Sequence, residues 1–145
     1  GGLIIPAMGL ADMIAKGRIA VLAYGKCLST CTLLLAASPS AVVTPSARIV
    51  FHRPTSALSG QTGDTAEIAI AVAAWHARYR EYGLPPRAVE IMAHRETWAP
   101  GLGALAELGM IKFVLDGQPP RLIPARAWCQ DHIAACGPTA PQGRQ

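Results

Sequence analysis

Charge is scarce in this 145-residue chain, with Asp, Glu, Lys and Arg together at 15%. Disordered segments run the other way, rich in charge and poor in apolar residues, so disorder of the whole chain is excluded. Aromatics are few as well, at 6%, and the 13 basic residues outnumber the 9 acidic ones to leave a formal charge of only +4. A dedicated nucleic-acid binder needs a concentrated basic stripe or a platform of stacking rings, and neither is present. No apolar run is long enough to cross a bilayer; the longest, Cys31 to Val43, is broken by Ser38-Pro39-Ser40. Repeats of solenoid or propeller period are missing too. What remains is apolar bulk: 51% of residues are hydrophobic, enough for one domain with an extensive core.

The chain opens Gly1-Gly2-Leu3-Ile4-Ile5, with no Met and no basic-then-apolar signal segment. A glycine pair followed at once by an apolar run reads as the end of one strand and the start of a helix, in a domain that lacks its first piece. Four cysteines fall as two pairs, Cys27/Cys31 and Cys129/Cys136. Three readings stay open. Cys129-x-x-His132-x-x-x-Cys136, joined by the other pair, offers zinc ligands in an irregular pattern. Free buried thiols suit a cytoplasmic protein. Disulfides suit an oxidising compartment, with Cys129–Cys136 the better bridge and Cys27–Cys31 dependent on a suitable turn. The even count and short spacings tilt the balance to an exported protein.

Helix periodicity covers residues 4–15, with Ile5, Met8, Met13 and Ile14 apolar, Pro6 in the first turn and Gly17 as a stop. Arg18 to Tyr24 is a short continuous apolar run, the signature of a strand buried on both faces. Ser29 to Ala37 predicts a helix that is hydrophobic nearly all round. Ala41–Val43 and Ala47–His52 follow as strands, then a Pro-, Ser- and Gly-containing loop from Arg53 to Asp64. Asp64-Thr65 caps a long helix reaching about Tyr82, with Ile68, Val72, Trp75 and Tyr79 on one stripe. Trp75 and Tyr79 either bury against the chain's own sheet or serve an interface. Further helices run from Pro85-Pro86 to about His94 and from Gly101 to Leu108, before a last strand, Met110–Leu115. Helices alternating with short buried strands predict an α/β domain over residues 1–115 with a largely parallel sheet. Residues 116–145, rich in Pro and Gly, read as an irregular extension pinned by a cysteine pair.

The chemistry concentrates at Gly25-Lys26-Cys27-Leu28-Ser29-Thr30-Cys31. A serine between a buried strand and a buried helix sits where ligands bind in open α/β sheets. The amides after it are helix N-terminal donors, suited to a developing oxyanion. The plainer alternative is that Ser29 is an N-cap. A nucleophilic serine needs a base. His52 closes the apolar strand that returns beside the serine's turn, where a polar ring gains little from packing. His76 falls on the polar side of its helix and reads as solvated; His132 reads as solvated or as a ligand.

At these residues a family resemblance emerges. Gly25-x-x-x-Ser29-x-x-x-Leu33-Leu34-Leu35-Ala36-Ala37 is similar to the nucleophile segment of the Clp protease proteolytic subunit and its ClpP/crotonase relatives. Ser46-Ala47-Arg48-Ile49-Val50-Phe51-His52-Arg53-Pro54 resembles that family's His-bearing strand. Gly1-Gly2 resembles its oxyanion glycine pair, and Gly103-Ala104-Leu105-Ala106-Glu107-Leu108-Gly109-Met110-Ile111 its closing helix-to-strand segment. The resemblance spans roughly residues 1–115, with its motifs in order. Cysteines flanking the serine resemble a branch of exported, periplasmic bacterial ClpP-like proteins.

The resemblance implies Ser29 as nucleophile, His52 as general base, and the amides of Gly2 and Thr30 as the oxyanion hole. It implies no cofactor and no metal, a peptide or protein substrate, and self-association as a homo-oligomer. The sequence departs from the family at the third triad member. The acid belongs near Ile91 to Glu96, where no Asp stands; His94 and Glu96 occupy the place, and Asp64 is a more distant substitute. Loss of an orienting acid can cost on the order of 10⁴ in rate. A serine peptidase, a Ser–His dyad and an inactive binding or assembly module all remain consistent. A crotonase-type acyl-CoA enzyme would not need the Ser/His pair. A Ser–Lys dyad finds none of Lys16, Lys26 and Lys112 obviously placed.

Overall fold

The computed structural model describes residues 2–52, 66–95 and 97–137. Helix α1 (Ile4–Gly17) leads to β1 (Leu22–Ala23) and β2 (Lys26–Leu28), and α2 (Thr30–Ala37) to β3 (Val42–Val43) and β4 (Arg48–His52). Helices α3 (Ala66–Glu81) and α4 (Pro86–His94) precede β5 (Thr97–Trp98), α5 (Leu102–Glu107) and β6 (Phe113–Asp116). The described chain closes with β7 (Arg121–Pro124), α6 (Ala125–Asp131) and α7 (Ile133–Cys136).

Where a single sheet is expected, the strands form two. One has the order β1-β3-β6-β7, the other β2-β4-β5. The crossovers β1/β3, β3/β6 and β2/β4 are parallel, and among the described residues only β4/β5 and β6/β7 run antiparallel. Gly25 causes the division. Its φ of +68°, open to glycine at little cost, turns the chain between β1 and β2, so these two neighbouring strands enter different sheets. The α/β class holds; of the strand expected over Arg18 to Tyr24 only Leu22–Ala23 forms one, and β2 follows Gly25, where no strand is expected.

The core runs through both sheets. Val43 and Val114 lie at its centre in the first, Ile49 and Phe51 in the second, with Leu33, Leu35, Tyr79, Val89, Leu105 and Met110 packed around them. Helix α2 is buried on most sides, as its composition dictates. In α1 the buried stripe is Ala7, Ala11 and Ile14, while Ile5 and Met13 face outward. Small side chains at the i, i+4 positions let α1 lie close against α2, and this outweighs the larger apolar residues the sequence suggests. Trp75 and Tyr79 are buried within the chain's own core, so the interface alternative for them falls away.

The segment expected to be an irregular extension is regular as far as Gly137. Gly117, at φ +88°, reverses β6 into β7, and the two pair over four residues. Trp128 on α6 is buried and its indole N–H donates to Asp116 Oδ2 at 2.7 Å. A large apolar ring with its one donor satisfied supplies the anchoring that Pro and Gly content conceals. Helix α7 lies against α5 so closely that a Cβ on Gly101 would clash with the Cys136 carbonyl oxygen.

Candidate active site

Ser29 sits where β2 ends and α2 begins, with φ 56° and ψ −122°. Among the described residues only Arg18 is another non-glycine at positive φ. That conformation costs a side-chain-bearing residue about 1–3 kcal/mol and persists only where surrounding contacts enforce it. The enforcing contacts are visible. Ser29 N–H donates to Val50 O on β4 at 3.0 Å, and Ser29 O accepts from the Thr32 N–H at 2.8 Å. Thr32 Oγ1 donates to the same carbonyl at 2.6 Å. Ser29 occupies the N-cap position of α2, but its side chain makes no capping hydrogen bond there.

Parallel pairing of β2 with β4 sets Leu28 opposite Val50. Ser29 therefore leaves its strand beside the end of β4, where Phe51 and His52 stand. Phe51 is buried and His52 half-buried. His52 reaches the rim of a small cavity of about 10 Å³, shared with Thr32, His76, Tyr79, Met92 and Ala93. A space of that size holds about one water molecule. Met92 and Ala93 belong to the stretch where the family resemblance expects an acid, and the described wall of the cavity carries no carboxylate. His94 is exposed in the last turn of α4 and lies outside that wall. Glu96, Asp64, Gly1 and the Arg53-to-Asp64 loop lie outside the described residues.

Gly2 precedes α1, and a Cβ added to it would meet Thr30 Oγ1 at 3.4 Å. The fold thus brings Gly2, Ser29 and Thr30 into one neighbourhood although 26 residues lie between the first two. Thr30 opens α2, where amides lack intrahelical partners and favour anionic charge. A groove of about 540 Å³ runs along the β2–β4 ladder past Lys26, Leu28, Arg48 and Val50.

Sequence reasoning missed two contributors. His76 is half-buried and lines the cavity beside His52, where a solvated position is expected. The core beneath Ser29 also holds a buried hydroxyl pair, Thr32 Oγ1 and Tyr79 Oη at 2.5 Å. Burial drives the Tyr79 hydroxyl well above the ordinary tyrosine range, against the opposing effect of the Thr32 hydrogen bond, so it is held protonated.

All four cysteines are bonded. Cys27–Cys31 brackets Ser29, and Cys129–Cys136 ties α6 to α7. Bonded sulfurs cannot serve as zinc thiolates, and this removes the zinc and free-thiol readings for these pairs. His132 stacks on Trp128 at 4.4 Å between ring centroids, with Nδ1 2.9 Å from the Trp128 carbonyl. Such bridges are sustained by an oxidising compartment. Among the described residues no helix is long and apolar enough to cross a membrane.

An enoyl-CoA hydratase/isomerase family protein from Silicibacter pomeroyi is 20% identical at a TM-score of 0.48, over 93% of this chain and 52% of that one. An enoyl-CoA hydratase/isomerase from Marinobacter aquaeolei is 12% identical at a TM-score of 0.46, over 88% of this chain and 43% of that one. The chain spans about half the length of these solved structures. No curated protein matches it. The Clp protease family model matches residues 1–115, the stretch that carries the glycine, serine and histidine neighbourhood, and the chain belongs to the Clp protease family, with the α/β fold of the ClpP/crotonase superfamily.

Proposed function

We propose that the protein is a serine hydrolase acting on peptide bonds by acyl transfer. The observation that carries this reading is Ser29 itself, a non-glycine residue at φ 56° whose hydroxyl makes no cap bond, beside the strand that ends in His52. A plain structural serine has no need of that backbone. In the proposed reaction Ser29 Oγ attacks the scissile carbonyl while His52 takes the hydroxyl proton. The amides of Gly2 and Thr30 receive the negative oxygen of the tetrahedral intermediate. Collapse breaks the C–N bond, His52 delivers its proton to the leaving amine, and water then hydrolyses the acyl-enzyme with His52 as base. The peptide substrate and assembly as a homo-oligomer follow from family membership, and the two disulfides support a periplasmic setting.

A second reading, an inactive binding or assembly module, draws on the sequence, which has no Asp between Ile91 and Glu96, where the family's acid is expected. A fluorophosphonate probe separates the two. Ser29 Oγ would bond to phosphorus as fluoride leaves and His52 takes the proton. Labelling of the wild type but of neither Ser29→Ala nor His52→Ala supports the hydrolase. Absence of labelling throughout supports the module, and equal labelling of all three moves the nucleophile elsewhere.

A further inference from the structure

The strained backbone of Ser29 needs a restraint that outlasts thermal motion, and its carbonyl has one. Thr32 Oγ1 lies 2.6 Å from Ser29 O and 2.5 Å from Tyr79 Oη. A hydroxyl has one proton to give. Ser29 O can only accept, so the Thr32 proton is committed to it, and the bond between the hydroxyls must then be donated by Tyr79. The direction is fixed along the whole chain: Tyr79 O–H to Thr32 O–H to Ser29 C=O.

Both relay side chains are fully buried, at 0% exposure each, so bulk solvent does not compete for these bonds. Tyr79 is gripped edge-on by Trp75 at 5.4 Å and tilted against Phe51 at 6.0 Å, and Phe51 is the strand neighbour of His52. A threonine in a helix's first turn often bonds back to a carbonyl three residues earlier. Here that carbonyl belongs to the residue at positive φ, so the back-bond opposes rotation of the peptide that carries the hydroxyl.

We propose that Thr32 and Tyr79 are positioning residues for Ser29, a buried relay that holds its carbonyl and thereby aims Oγ at the reacting carbon. The proposal rests on Ser29 being the nucleophile, and it assigns α3 a part in holding the serine that stands between β2 and α2. Misplacing a reacting atom by about 1 Å can cost on the order of 10² in rate, so a modest peptide rotation suffices.

The test uses the full chain and four variants: Thr32→Val, which keeps the shape and loses the donor, Thr32→Ser, which keeps the donor, Tyr79→Phe, and the double Thr32→Val/Tyr79→Phe. For each, the maximal inactivation rate and the binding constant of a fluorophosphonate are measured with the thermal midpoint. Thr32→Val is expected to lower the maximal rate on the order of tenfold or more with binding unchanged. Thr32→Ser should retain it, and Tyr79→Phe should lose less than Thr32→Val. The double variant leaves no orphan hydroxyl and should recover stability relative to Thr32→Val, yet stay slow. A purely structural role predicts that rate and stability recover together; that result, or a Thr32→Val rate matching wild type, overturns the proposal. Amide exchange at Ser29 and Thr32 gives a readout independent of activity. If the wild type does not label, the hydrolase reading fails. Exchange that quickens in Thr32→Val and is restored in Thr32→Ser still upholds the positioning of Ser29; unchanged exchange rejects it.

Discussion

Two corners of this molecule are closed by the same covalent device. Cys27–Cys31 spans four residues around Ser29, and Cys129–Cys136 spans seven between α6 and α7. On loop-closure entropy alone each contributes about 2 kcal/mol, so loop size does not distinguish them. Their surroundings do. The first encloses a residue at φ 56° with its peptide held by Val50 and Thr32, and the second encloses helical turns anchored by a buried Trp128. A bridge around a strained residue fixes a local geometry, whereas one between relaxed helices fixes the attachment of a peripheral unit. The distinction assigns chemistry to one corner and stability to the other.

The largest expected effect falls on the second corner. Trp128→Ala removes a buried ring, its hydrogen bond to Asp116 and its stack with His132, and should cost about 3–5 kcal/mol of stability. Read by thermal unfolding, it should leave fluorophosphonate labelling at 20 °C or so unchanged wherever the variant remains folded. A collapse of labelling in the folded variant would break the division of labour.

Next come the bridges themselves. Replacing either pair by alanine should lower stability by about 2 kcal/mol, but only the Cys27→Ala/Cys31→Ala variant should also slow labelling of Ser29. Equal labelling rates in the two double variants would show that Val50 and Thr32 suffice without the bridge. A smaller effect with the opposite sign belongs to Ser29→Gly. Glycine accepts positive φ at little cost, so relief of strain should raise stability by about 1 kcal/mol while labelling is lost. Ser29→Ala should lose labelling without that gain.

The smallest effect concerns pH. The hydrogen bond from Trp128, followed by that from the Gly117 N–H, holds the Asp116 carboxyl below the usual aspartate value. A group whose pKa is lower folded than unfolded adds stability that is present above its unfolded pKa and lost as pH falls through the folded value. Asp116→Asn should therefore flatten the acid limb of the stability profile through a small loss of stability at neutral pH that disappears in acid, where the wild-type carboxyl is protonated as well.

The helices α1 to α5 were legible because punctuation marks most of them: Gly17, Gly83 and Gly109 near their ends, Pro86 at the start of α4; α6 and α7 were not, because the Pro and Gly around them read as an irregular extension. The strands were less so. β5 is two residues long, β7 carries Arg121 and Pro124 with exposed side chains, and neither shows an apolar alternation. Gly25 carried the signal for the sheet division, yet a positive φ cannot be read from a glycine that fits equally well in an ordinary turn. At the candidate site, Ser29 and His52 stood out because a polar residue at the edge of an apolar run needs a reason. The spacing says nothing of φ at Ser29, which depends on bonds to Val50 and Thr32. Tyr79 lies 47 residues from Thr32, and an apolar helix stripe hides one hydroxyl among rings. His76 was misjudged for a related reason: helical periodicity assigns a face, but packing of α3 against β4 and α4 decides what that face meets.

The central claim is that one oxygen is chemically unlike every other hydroxyl in the chain. Peptide mapping of the fluorophosphonate-treated wild type by mass spectrometry tests it directly. The account predicts a single adduct on Ser29, absent when His52 is replaced by alanine; an adduct on another residue, or none under conditions that keep both disulfides intact, contradicts it.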